Sequence, residues 1–131
     1  MKTYRELIDV INHIGNNIGD LSTKGQKKLL KINDKLKPFY EKYTEEREDI
    51  RLDGASVDDK GNLTLNDKGD YSYTKESAKQ TNAKLKELLD KEFDYKPIEV
   101  VNPGGLEDYF FLKGWVNGVK FTIKIDDDEE I

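Results

Sequence analysis

Apolar residues recur three and four apart near the start of the chain, at Tyr4, Leu7, Ile11, Ile14 and Ile18. That spacing puts them on one face of an α-helix, so a helix is predicted over residues 3–14. Thr3, with Glu6 and Leu7 behind it, stands where a capping residue belongs. In "GNNIGD", Gly15 and Gly19 each cost a helix about 1 kcal/mol relative to alanine, and the helix is expected to weaken there. Thr23 and Gln26 then have the spacing of a capping box. Beyond them Leu29, Ile32, Leu36, Phe39, Tyr43 and Ile50 form a heptad seam, interrupted where Glu46 falls on it. One long helix from Gln26 to about Ile50 is predicted. Pro38 costs a helix interior about 3 kcal/mol, so a kink or break is expected near residues 34–38. Two amphipathic helices joined by a Gly-rich turn read as an antiparallel helical hairpin over residues 1–54, with Gly54 as its C-terminal cap glycine.

The period then changes. Residues 55–73 are polar and punctuated by glycine, a β excursion with positive-φ turns. Residues 74–91 return to helix, with Thr74 and Ser77 near its start and Ala78, Leu85, Leu88 and Leu89 as a narrow apolar set. Residues 92–125 read as β strands and a hairpin. Ile98, Val100 and Val101 are β-branched, "NPGG" makes a turn, and Asn117-Gly118 has the composition of a type I′ hairpin turn. After it Val119, Phe121, Ile123 and Ile125 alternate with Lys120, Thr122 and Lys124. Residues 126–131 are an acidic tail. The expected fold is therefore a single α+β domain over residues 1–131: an antiparallel helical hairpin, a third helix and a small antiparallel β-sheet.

Composition narrows the chemistry. The chain of 131 residues has no cysteine, one histidine and a net charge of −5. Disulfides, thiolate nucleophiles and cysteine zinc sites are excluded, and overall acidity disfavours nucleic acid as a partner. No apolar run is long enough for a membrane span, and "MKTYRELIDV" turns amphipathic without a signal-peptide apolar region, so a cytoplasmic protein is expected.

The stretch "SVDDKGNLTLNDKGDYSYT" invites comparison with a calcium loop. With Gly61 at the sixth position of an EF-hand, Lys60 occupies a ligand position and Asp67 stands where a bidentate glutamate is required. With Gly69 sixth, Lys68 and Lys75 occupy ligand positions. No metal ligand set and no cofactor site is expected. His13 has neither a second histidine nor a cysteine to join in a metal or nucleophile site and reads as a helix residue. The acidic pairs Glu45-Glu46 and Asp58-Asp59 and the run Asp126–Asp128 sit in polar surroundings that do not perturb a carboxylate for acid–base work. Gly104-Gly105 belongs to neither a Walker loop nor a dinucleotide fingerprint. No catalytic residue is assigned, and the chain is expected not to be an enzyme.

Two features point to binding instead. Lys24, Lys27, Lys28, Lys31, Lys35 and Lys37 crowd the long helix, several of them opposite its seam; they suit nucleic acid, an acidic partner or the chain's own acidic tail, or an ordinary solvated face. The expected hairpin carries Tyr109, Phe111 and Trp115 on one face and Phe110, Leu112 and Val116 on the other. Two apolar faces are more than a small domain covers, so Tyr109, Phe111 and Trp115, with Lys113 and Lys120 at the rim, are the expected partner-binding residues.

The sequence of "ELIDVINHI", "KLLKINDKLKPFYEKYTEEREDI", "DDKGN" and "KELLDKEFDYKPIEVV" resembles a family of small phage-encoded proteins of unknown function, over residues 1 to about 101. The resemblance implies a viral origin and expression in host cytoplasm, and carries over no functional residue. The expected function is a non-enzymatic phage protein working by protein–protein contact with itself, a phage protein or a host protein. It would serve as a minor virion or assembly component and form a homo-oligomer through the seam or the aromatic sheet. The alternative is an anti-defence inhibitor or sponge holding a host protein or a nucleotide ligand.

Overall fold

The computed structural model describes residues 1–19 and 24–122. In chain order the elements are β1 (Lys2–Thr3), α1 (Tyr4–Asn17), α2 (Lys24–Gly54), α3 (Lys75–Leu89), β2 (Glu92–Phe93), β3 (Ile98–Glu99), a 3₁₀ turn (Phe110–Leu112) and β4 (Val116–Asn117). The class is α+β, with α1 and α2 packed as a helical hairpin, α3 as a third helix, and β1 and β2 forming a small antiparallel sheet. The expected capping box lies partly outside the described residues, because Thr23 does. So do the hairpin residues Ile123, Lys124 and Ile125 and the acidic tail.

The chain divides into two compact units, one made of Met1–Arg5 and Pro38–Phe93, the other of Glu6–Lys37 and the chain from Asp94 onward. The second unit is built largely on the predicted periodicity, with Val10 buried beside the predicted face and Ile11 and Ile18 only half-buried. Leu7, Val10 and Ile14 of α1 and Leu29, Ile32 and Leu36 of α2 are buried, together with Leu106, Leu112, Trp115 and Val116. In the first unit Tyr4 is 1% exposed. Its ring lies 5.2 Å from those of both Tyr43 and Phe93, and Phe39 lies 5.2 Å from Phe93. Aromatic pairs at such separations add about 0.5–1.5 kcal/mol each beyond their area.

Glu46, the interruption in the seam, belongs to this cluster. Its carboxylate accepts a hydrogen bond from Lys91 Nζ at 2.8 Å. Burial alone would raise its pKa, but the hydrogen bonds from Lys91 and the Tyr4 hydroxyl hold it below the usual carboxylate range. In turn Tyr4 is pushed up to about 12, by burial first and then by Glu46.

α2 continues through Pro38 as helix, so the break that was one of the two expectations there does not occur. Pro38 and Asp34 are both on the exposed side, so the Asp34 carbonyl that loses its N–H donor faces water. α2 also runs on to Gly54, past the expected end at Ile50. There α3 approaches closely: Ser77 Oγ donates to the Gly54 carbonyl, and a Cβ at Gly54 would lie 2.0 Å from Thr81 Oγ1. Thr74 caps α3 by accepting from the Ser77 amide.

Residues 56–74 contain two successive closures, with antiparallel bridges at Val57–Leu63 and Leu65–Tyr71. The folded chain displays an eight-residue repeat, "SVDDKGNL" followed by "TLNDKGDY". Asp58 Oδ1 accepts the amides of Lys60 and Asn62, and Asn66 Oδ1 accepts those of Lys68 and Asp70. At the base, Ser56 N donates to Ser72 O, Ser72 N to Thr64 O, and Thr64 N to Ser56 O. The repeat thus closes on itself in a ring of three backbone hydrogen bonds.

The hairpin expected over residues 109–125 does not form among its described residues. Residues 110–112 make the 3₁₀ turn, and β4 pairs in parallel with β3, Ile98 opposite Val116. Residues 100–115 supply the long crossover that a parallel pair requires. Gly118 has φ +91°, as a type I′ turn would demand, but a Cβ there would lie 2.4 Å from the Val100 carbonyl oxygen. The glycine admits strand β3, not a hairpin reversal.

Candidate functional site

The lysines of α2 mark the most distinctive surface of the second unit. Lys24, Lys28, Lys31 and Lys35 follow one another at four, three and four residues, which aligns them along one helix face. Lys28 Nζ donates to the carbonyls of Asn102 and Gly104 and so fastens the turn after β3 against the helix. Close approach of Gly25 to Gly105 makes this contact possible: a Cβ at Gly25 would lie 2.5 Å from Gly105 O. Loss of solvent around the Lys28 ammonium, followed by the repulsion of Lys24, lowers its pKa against the opposing pull of Glu107.

Next to this anchor lies an open groove of about 240 Å³, lined by Lys28, Lys31, Ile32 and Lys35 of α2, by residues 98–102, and by Leu106. Three lysines face one glutamate, Glu99, in a chain whose net charge is −5. Glu99 is held by Asn117 Nδ2 at 2.9 Å. Lys31 and Lys35 are exposed and make no ion pair among the described residues. Val101, at the groove's edge, is 89% exposed.

β3 presents its backbone here. The amides of Ile98 and Val100 donate to Trp115 and Asn117, toward β4. Strand geometry turns the amide of Glu99 to the opposite edge. The groove is lined by five consecutive residues, 98–102. β3 ends at Glu99, so the groove is bordered by β3 and by the chain that leaves it, residues 100–102.

Of the five residues expected to meet a partner, Trp115 is buried, and Tyr109 and Phe111 lie together with ring centroids 5.8 Å apart. Trp115 is 4% exposed and packs edge-on to Tyr95, with ring centroids 4.8 Å apart, while the Tyr95 hydroxyl donates to the Trp115 carbonyl. Burial pushes Tyr95 up to about 12. Tyr109 and Phe111 are half-buried, with Phe111 stacked on His13 at 5.3 Å. Lys113 is exposed, its ammonium 5.4 Å from the Phe110 ring, and Lys120 is exposed. Sequence reasoning singled out the lysine face, but the apolar strand edge beside it is a long-range pairing with no local signal.

The first unit carries a smaller cavity of about 210 Å³, lined by Arg51, Tyr73, Ala78, Thr81, Asn82 and Leu85. The carboxylate of Asp58 and the amide of Asn66 are occupied in holding their own turns. Val57, Leu63 and Leu65 of the repeat are 56%, 42% and 58% exposed.

These elements define the protein as α+β and no more narrowly. Comparison of the chain with protein-family models, curated proteins and solved structures finds no match to any of them.

Proposed function

We propose that this chain is a non-enzymatic binding protein that acts through protein–protein contact, and that the groove between α2 and β3 is its contact site. The phage setting implied by the family resemblance belongs to the same proposal. The observation that carries the reading is the combination, in one groove, of an apolar lining, a strand that among the described residues has a partner on one side only, and two lysines that among the same residues make no ion pair. Protein-binding surfaces combine an apolar centre with a polar rim in this way. At about 240 Å³ the groove falls below the roughly 300–1,000 Å³ typical of small-molecule sites, which favours a polypeptide over a nucleotide ligand.

The test is affinity capture from a bacterial lysate with the parent chain and with the Lys31→Glu, Lys35→Glu double variant, read by mass spectrometry. Both lysines are exposed, so the variant should fold as the parent does. A protein retained by the parent and lost by the variant supports the reading. Identical sets from the two baits would refute it.

A further inference from the structure

The groove's chemistry specifies its occupant, given the binding role proposed above. A partner that fills it must satisfy a strand edge, fill apolar space and neutralise lysine ammonium groups. Among the described residues β3 pairs with β4 alone, and the amides of Ile98 and of Val100 just after it are committed to that side, bonding Trp115 and Asn117. The groove is lined by β3 and the residues that follow it, beside Ile32 and Leu106. Lys31 and Lys35 stand four residues apart on α2, about 6 Å along the helix axis at 1.5 Å per residue. Residues two apart on an extended strand are separated by roughly 6.6 Å and point to the same side. Two acidic side chains at positions i and i+2 of a strand therefore match the spacing of the two lysines. The intervening side chain turns the other way, and the strand's own amides and carbonyls meet the free edge of β3. Strand addition is a recognised mode of peptide binding, in which main-chain hydrogen bonds supply affinity and alternate side chains supply specificity.

We propose that the groove takes an extended peptide segment alternating acidic and apolar residues, added as a strand to the free edge of β3, with its carboxylates on Lys31 and Lys35.

The probe is a fluorescein-labelled nonapeptide of alternating valine and aspartate, titrated into the full chain and followed by fluorescence anisotropy. Two further peptides are N-methylated at alternate residues, one in each register. A strand added to an edge bonds through only one register of amides, so methylation of that register should abolish binding while the other is tolerated. The Lys31→Glu, Lys35→Glu variant should bind at least about tenfold more weakly, a change of about 1.4 kcal/mol. Binding that survives methylation in both registers but falls on charge reversal overturns strand addition and leaves the groove as a contact site. Binding indifferent to charge reversal overturns both. A full-length Asp126→Asn, Asp127→Asn, Asp128→Asn variant forms the last arm. If it binds the peptide and the parent does not, the chain's own acidic run is the occupant and an external partner is overturned; if neither binds, the proposal also fails.

Discussion

Alanine in place of glycine should stabilise one position of the helical hairpin and destabilise another, and the contrast tests the close approach that shapes the groove. Gly15 lies within α1, and a Cβ there would have nothing within 4 Å. Gly15→Ala should therefore gain most of the helix-propensity difference, about 0.5–1 kcal/mol. Gly25 lies in the first turn of α2, where a Cβ would sit 2.5 Å from the Gly105 carbonyl oxygen and 3.2 Å from its carbon. Neither neighbour is a side chain that can swing aside. Gly105 is itself held, its amide donating to Glu107 Oε2 at 2.9 Å, and its φ of +92° gives little latitude. Overpacking of this kind costs about 1–3 kcal/mol. The propensity gain at a helix terminus offsets only part of that, leaving a net loss of about 1–2 kcal/mol. The turn would also shift away from Lys28 and weaken its bonds to Asn102 and Gly104. For a chain of 131 residues, unfolding entropy near 2.1 cal/mol/K per residue converts 1 kcal/mol to about 4 °C in Tm. Differential scanning calorimetry should place Gly15→Ala about 2–4 °C above the parent and Gly25→Ala about 4–8 °C below it. A Gly25→Ala variant as stable as Gly15→Ala would refute the contact and, with it, the placement of the 102–105 turn against α2.

Leu36, 0% exposed, should cost about 2–5 kcal/mol on replacement by alanine; in urea denaturation, a loss below about 0.5 kcal/mol would mark the seam as surface. Tyrosinate absorbance should show Tyr4 and Tyr95 ionising near pH 12, well after an ordinary tyrosine near pH 10. Because their folded values are raised, the stability they confer is complete below about pH 10 and is lost as pH climbs toward 12, so urea midpoints should fall across that window; a midpoint flat there contradicts the burial. The single tryptophan, Trp115, is 4% exposed, so its fluorescence should resist acrylamide quenching until the chain unfolds, and free quenching in the native protein would count against its place in the core.

The helices were legible in the sequence because their signal is local. Leu7, Ile14, Leu29, Ile32 and Leu36 are all buried, as their spacing requires, and Thr74 caps α3 where its position suggested. Apolar periodicity in a helix depends only on neighbours three and four residues away, and burial of that face follows almost regardless of what covers it. Glu46 looked like an error in the seam until Lys91, distant in sequence, supplied its partner. The lysine face was visible too, but not the strand edge beside it.

What only tertiary structure decided were the pairings between distant segments. Asn117-Gly118 carries the same local chemistry whether it reverses a hairpin or lets a glycine pass over the Val100 carbonyl, since both need positive φ and no Cβ. Apolar residues on both sides of it suit either a hairpin or a parallel strand beside Ile98. Sequence therefore determined which segments are helical and which face of each is buried. Folding alone determined that β4 pairs in parallel with β3, that Trp115 enters the core, and that a groove lies between the lysines and the chain around β3, because a hydrogen-bond partner across a long crossover is chosen by packing and not by the residues at the turn.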